Sequence, residues 1–138
     1  MIRLRDILDE VILLKSGNVV PDFLYHATYR ALLPRIKKNG IICGGGKYRN
    51  FVNTERGVYL GYDAEYAGSM VEASENDDIP EDWVDEIIVL KVDVSKLDIS
   101  KLDIDPNVIL SDEDDMIYSY IYRDNIPYNF VLGVTRYS

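Results

Sequence analysis

The sequence predicts a single α+β domain. Three observations carry this. Helical spacing falls mostly in the first half of the chain, and extended apolar and aromatic runs dominate the second half. The composition, 47% hydrophobic and 28% charged, is that of a chain that folds around its own core. A length of 138 residues matches about one domain, which hides roughly two-thirds of its unfolded surface. Helices early and strands late point to an α+β arrangement and away from a doubly wound parallel sheet.

The first element is an amphipathic helix. Leu4, Ile7, Leu8, Ile12 and Leu14 recur at helical spacing, with Arg3, Asp6, Asp9 and Glu10 between them. Ser16-Gly17-Asn18 stops it, so residues 1–20 are expected to form an appendage and residues 21–138 the main domain. Phe23 to Ala27 reads as a strand. Ala31 to Asn39 carries Leu32, Leu33 and Ile36 on one face and ends at Gly40, with Pro34 tolerated in the first turn.

Ile41 to Cys43 is a short strand candidate. From Gly44-Gly45-Gly46 to Arg56 the chain lacks periodicity and reads as a loop. Gly57 to Gly61 returns to strand, and Asp63 suits the N-cap of a helix through Tyr66, Ala67 and Met70. The acidic stretch Glu75 to Asp85 reads as a surface loop that Trp83 anchors. Ile87 to Val92 is the strongest strand signal, and Val108 to Leu110, Met116 to Tyr122 and Phe130 to Arg136 complete the strands. Between them Ser95-Lys96-Leu97-Asp98-Ile99 is repeated as Ser100-Lys101-Leu102-Asp103-Ile104; two copies of so short a unit make a local duplication, not a solenoid.

Charge and cysteine content narrow the function classes. No apolar run approaches the ~20 residues of a membrane helix. Asp6, Asp9 and Glu10 break any secretory apolar region, so a cytoplasmic location is expected. Cys43, the only cysteine, supports neither a disulfide framework nor a thiolate zinc site within one chain. A net charge of −9 opposes nucleic-acid binding by the molecule as a whole. The charge is uneven. Arg30, Arg35, Lys37, Lys38, Lys47, Arg49 and Arg56 face only Glu55 in one segment, which is able to meet phosphates. Between Glu72 and Asp115 acids outnumber bases sixteen to three.

The chemistry-bearing residues begin with His26, the only histidine, in Tyr25-His26-Ala27-Thr28 at a strand end. A neutral imidazole offers one donor and one acceptor, and Thr28 projects from the same strand face, so the pair can grip a ribose diol. A half-buried histidine satisfied by a backbone carbonyl is the purely structural alternative. Tyr59, flanked by Gly57 and Gly61, offers a flat face and a hydroxyl where a ligand can approach the backbone; a packed strand tyrosine is its alternative. Gly44-Gly45-Gly46 with Lys47 and Arg49 lacks the spacing of a P-loop.

Tyr25-His26-Ala27-Thr28 followed by a helix and Gly40, then Gly57-Val58-Tyr59-Leu60 followed by Asp63-Ala64-Glu65-Tyr66-Ala67, resembles the ADP-ribosyltransferase superfamily in its histidine-tyrosine-glutamate branch. The later strand Ile87 to Val92 and Ile126-Pro127 before the last strand extend the likeness from Phe23 to Val134. The resemblance implies a split β-sheet core, NAD as substrate, and transfer of ADP-ribose to a macromolecule, expected to be a protein, with release of nicotinamide. It implies that His26 and Thr28 hold the ribose and Tyr59 stacks on nicotinamide, with Arg30, Gly57 and Tyr66 among the NAD-binding residues. The family's third element is a glutamate that begins a late strand and supports positive charge at the transition state. Here that position falls near Ser119 or Tyr120, and Glu113, in the acidic run Asp112 to Asp115, is the candidate; a solvated acidic turn is its alternative.

Leu8-Asp9-Glu10 also resembles the Leu-x-Glu cleavage pattern of tailed-phage prohead proteases, which would imply a removable tag on a phage-encoded, virion-packaged chain; an ordinary amphipathic helix is the better reading of these residues. Two other functions stay open: a catalytically silent relative that binds or inhibits a host protein, and an RNA 2′-phosphotransferase, which the net charge disfavours.

Overall fold

A computed structural model of the chain describes residues 12–14, 17–44, 56–73, 77–106 and 117–137. Among them the chain is α+β, mostly strands in two antiparallel sheets, with two α-helices. The strands are β1 (Ile12–Leu13), β2 (Val19–Val20), β3 (Phe23–Tyr29), β4 (Val58–Gly61), β5 (Ile87–Asp93), β6 (Leu102–Ile104), β7 (Ser119–Tyr122) and β8 (Val131–Arg136). The helices are α1 (Leu33–Asn39) and α2 (Ala64–Glu72). β1 and β2 form a small hairpin, and the other six strands form one sheet in the order β6-β7-β4-β3-β5-β8.

The expected N-terminal helix lies outside the described residues up to Val11. Its last turn does not form: Ile12 and Leu13 pair with Val20 and Val19 as β1, and Leu14 and Val20 are buried in the main core. β-branched Ile12, Val19 and Val20 favour that extended pairing. The Val108–Leu110 strand and the glycines Gly45 and Gly46 with Lys47 and Arg49 also lie outside the described residues. Ile41 makes only an isolated bridge to Ile126, so no Ile41–Cys43 strand forms. β7 begins at Ser119 instead of Met116.

β3 is the spine of the sheet because its two faces meet different cores. Leu24 packs with Leu60, Leu90, Val92 and Tyr120 on one face. Ala27 and Tyr29 pack with Ile87, Val89 and the α2 residues Ala67 and Val71 on the other. Alternation along a strand makes this possible, since successive side chains leave opposite faces. α2 starts where Asp63 accepts a hydrogen bond from the Tyr66 backbone N–H at 2.7 Å, the N-cap arrangement. Trp83 lies 6.4 Å from the Tyr29 ring, anchoring the acidic segment before β5 as expected.

α1 ends at Gly40, whose φ of 78° suits glycine. A side chain there would also meet the Ile126 carbonyl at 2.5 Å. Two like corners form at the duplicated pentapeptide: Asp93, two residues ahead of the first copy, binds the N–H and hydroxyl of Ser95, and Asp98, within that copy, does the same for Ser100. These Asx-type turns stop β5 and lead into β6.

Candidate functional site

The two seams of β3 differ. Toward β5, all seven residues from Phe23 to Tyr29 find partners. Toward β4, the register holds a single pair, Tyr25 with Gly61. The ladder geometry shows which groups face that second seam. Arg30 donates to the Glu86 carbonyl and Val94 to Asp22, so the even-numbered residues of β3 bond toward β5 and the odd ones turn toward β4. Tyr62 donates to the Tyr118 carbonyl, so Tyr59 and Gly61 present their backbone groups to β3.

His26 ties this second seam with its side chain. Its backbone belongs to the β5 seam opposite Leu90, while its ring reaches the other way and Nδ1–H donates to the Tyr59 carbonyl at 3.0 Å. A carbonyl only accepts, so the proton sits on Nδ1 and the neutral ring keeps Nε2 as an acceptor. Burial pushes the imidazole pKa below its ordinary value, and the hydrogen bond to Tyr59 opposes this only in part. The neutral acceptor form therefore prevails near pH 7. The ring is thus a fixed hydrogen-bond acceptor, able to take an O–H from a ligand hydroxyl.

The other expected site residues divide. Thr28 shares the His26 face but is buried, at 5% exposure. Tyr59 meets His26 through its backbone: it alternates with buried Val58 and Leu60, and its half-buried side chain leaves the opposite face. Arg30 is exposed where β3 ends. Gly57 answers a packing demand, because a side chain there would collide with Ile121, which is fully buried. Tyr66 stands over Gly61 at the start of α2, 3.1 Å from where a side chain on Gly61 would begin. Glu113 lies outside the described residues.

Sequence reasoning missed one polar cluster. Asp105, just after β6, is 3% exposed, and Ser119 donates its hydroxyl to it at 2.8 Å while accepting the Asp105 N–H on its own carbonyl. Ser119 is also hydrogen-bonded to the Tyr66 phenol. A buried carboxylate is costly unless hydroxyls or amides satisfy it. Across the sheet Asp105, Ser119, Gly61 and Tyr25 share one row. Ser119 thus holds, through its hydroxyl, an acid that stands just beyond the neighbouring strand. Only its Asp-Pro sequence, which marks a strand end, set Asp105 apart in advance.

No protein-family model and no curated protein matches this chain. Among the described residues no group of His, Cys, Asp and Glu is placed to hold a metal ion, and no helix is long and apolar enough to cross a membrane.

Proposed function

We propose that the chain is an NAD-dependent ADP-ribosyltransferase with an ADP-ribosyltransferase-like split sheet, acting on a protein acceptor. The single observation that carries this reading is His26 on β3 with its Nδ1–H committed to the Tyr59 carbonyl of β4, which leaves Nε2 as an acceptor. The two motifs that resemble the family fall on these two adjacent strands. The two strands are neighbours in the sheet, so the two motifs stand side by side. Nε2 accepts a hydroxyl proton of the nicotinamide ribose, fixing the sugar beside the bond to be broken.

In the reaction the bond between the ribose anomeric carbon and the nicotinamide nitrogen breaks. Nicotinamide leaves as a neutral molecule with the bonding electron pair, and a nucleophile of the acceptor bonds to the anomeric carbon and gives up its proton. Positive charge develops on the sugar, so a carboxylate nearby lowers the barrier. Glu113 is the residue proposed for that role. The basic residues Arg30 and Arg56 lie on the exposed surface and suit the diphosphate.

A second reading is a catalytically silent relative that serves as a binding module. Ser119 at the position where the resemblance places an acid favours it.

Incubation with NAD and cell lysate, followed by mass spectrometry for nicotinamide and ADP-ribosylated protein, separates the two. The transferase reading expects product from the wild type, a loss of at least about 100-fold in His26→Ala, and a comparable loss in Glu113→Ala, on the scale of removing one transition-state contact. Calorimetry showing no NAD binding at millimolar ligand overturns it. Binding without turnover selects the binding module.

A further inference from the structure

Three tyrosines from three separate segments converge beside the row that ends in Asp105. Tyr62 follows β4, Tyr66 is in the first turn of α2 and Tyr118 precedes β7. Their ring centroids lie 5.8 Å (Tyr62 to Tyr66), 4.8 Å (Tyr62 to Tyr118) and 5.9 Å (Tyr66 to Tyr118) apart. Tyr29, Tyr120 and Tyr122 are buried core residues, whereas all three tyrosines of this cluster are partly exposed. Rings of that kind form a surface platform.

The platform is ringed by negative charge. Asp63 caps α2 and binds the Tyr62 hydroxyl, and Glu65 is exposed beside it. Asp105 lies buried behind Tyr66, held through Ser119. The phenols stay protonated: the Tyr62 pKa is raised first by its hydrogen bond to Asp63, and that of Tyr66 first by burial and then by the charge of Asp105. A neutral phenol ring carries a negative face, which attracts a cation placed over it. Lys91 over the Phe23 ring, at 4.1 Å, shows the same contact elsewhere in the chain. Between the two common protein cations, guanidinium fits stacked rings better, being planar and weakly hydrated.

We propose that Tyr62, Tyr66 and Tyr118, backed by Asp63 and Asp105, form a docking platform for an arginine side chain of the acceptor protein. This rests on the transferase reading for the identity of the partner as an acceptor. The binding event itself requires no NAD.

The test uses the full-length protein and three short fluorescent peptides, Gly-Ser-X-Ser-Gly, with X as arginine, lysine or citrulline, followed by anisotropy without NAD. Citrulline keeps the size and planarity of arginine and removes the charge. The proposal expects the arginine peptide to bind at least about tenfold more tightly than citrulline, with lysine between them. Tyr62→Leu is expected to reduce that preference at least fivefold, and Tyr62→Phe, which keeps the ring, to retain it. Tyr62 stands at the surface, and circular dichroism with urea titration establishes that both variants fold. Equal binding of arginine and citrulline, no arginine binding at millimolar protein, or an undiminished preference in folded Tyr62→Leu overturns the platform. NAD cleavage by the wild type is read separately, so its absence counts against the transferase and leaves the peptide result standing.

Discussion

β3 has one closed side and one open side, and the contrast shows where this fold invests in stability and where it leaves room. Against β5, the register continues through seven residues from Phe23 to Tyr29. Against β4, the register is a single pair, Tyr25 with Gly61, and an imidazole also bonds a carbonyl that faces β3. A backbone seam is fixed by geometry and admits nothing. A side-chain seam can open by a rotamer change, at a cost of about one net hydrogen bond, roughly 0.5–1.5 kcal/mol. His26 takes part in both: its backbone lies on the closed seam and its ring bridges the open one.

Leu90 and His26 are register partners, so substituting each in turn tests whether the two seams differ in kind. Leu90 is fully buried in the main core. Leu90→Ala is expected to cost about 3 kcal/mol in urea unfolding, within the 2–5 kcal/mol range of such truncations. His26→Gln keeps a donor for the Tyr59 carbonyl and is expected to cost about 1 kcal/mol at pH 7.5. If His26→Gln proves the more damaging of the two, His26 is a core element and the contrast between seams fails.

The pH dependence sharpens the same contrast. Burial depresses the folded-state pKa of His26 below its ordinary value. In the window between that depressed pKa and the unfolded value, about 6.5, the unfolded chain binds the proton more readily than the folded one. Folding therefore loses stability as pH falls through that window. Urea midpoints measured from pH 7.5 to 5.5 are expected to decline more steeply in the wild type than in His26→Gln. Parallel curves for the two proteins refute the account.

The sheet was legible where one strand's own residues decide its fate. Phe23 to Ala27, Gly57 to Gly61, Ile87 to Val92 and Phe130 to Arg136 announce β3, β4, β5 and β8 by apolar and β-branched runs, and Asp63 announces α2 by its capping chemistry. β6 was hidden, because Leu102-Asp103-Ile104 sits inside a duplicated unit whose first copy turns and whose second copy both turns and pairs. β1 was read as helix, since its apolar spacing fits either period over so few residues. His26 was legible as a candidate from its motif, but the strand expected to end at Ala27 runs on to Tyr29, so His26 stands in mid-strand. Its tautomer was not legible, because that depends on where the β3–β4 ladder stops. Asp105 was legible only as a strand end: the hydroxyl that satisfies its carboxylate belongs to Ser119, fourteen residues on, and sequence alone does not pair the two.

The smallest effect expected lies at the rim of the open seam. Asp63 caps α2 and so holds the helix that covers Gly61, the last residue of β4 paired to β3. Asp63→Ala leaves the Tyr66 N–H without its cap and is expected to cost about 0.5–1 kcal/mol. Asp63→Ser supplies another capping oxygen and is expected to restore most of it. Amide exchange is the discriminating readout. If α2 keeps the β3–β4 seam from opening further, Tyr25 and Gly61 should exchange faster in Asp63→Ala while Ile88 and Leu90 on the closed seam stay protected. Uniform acceleration of all four means that the cap supports the domain as a whole and that the two sides of β3 share one fate.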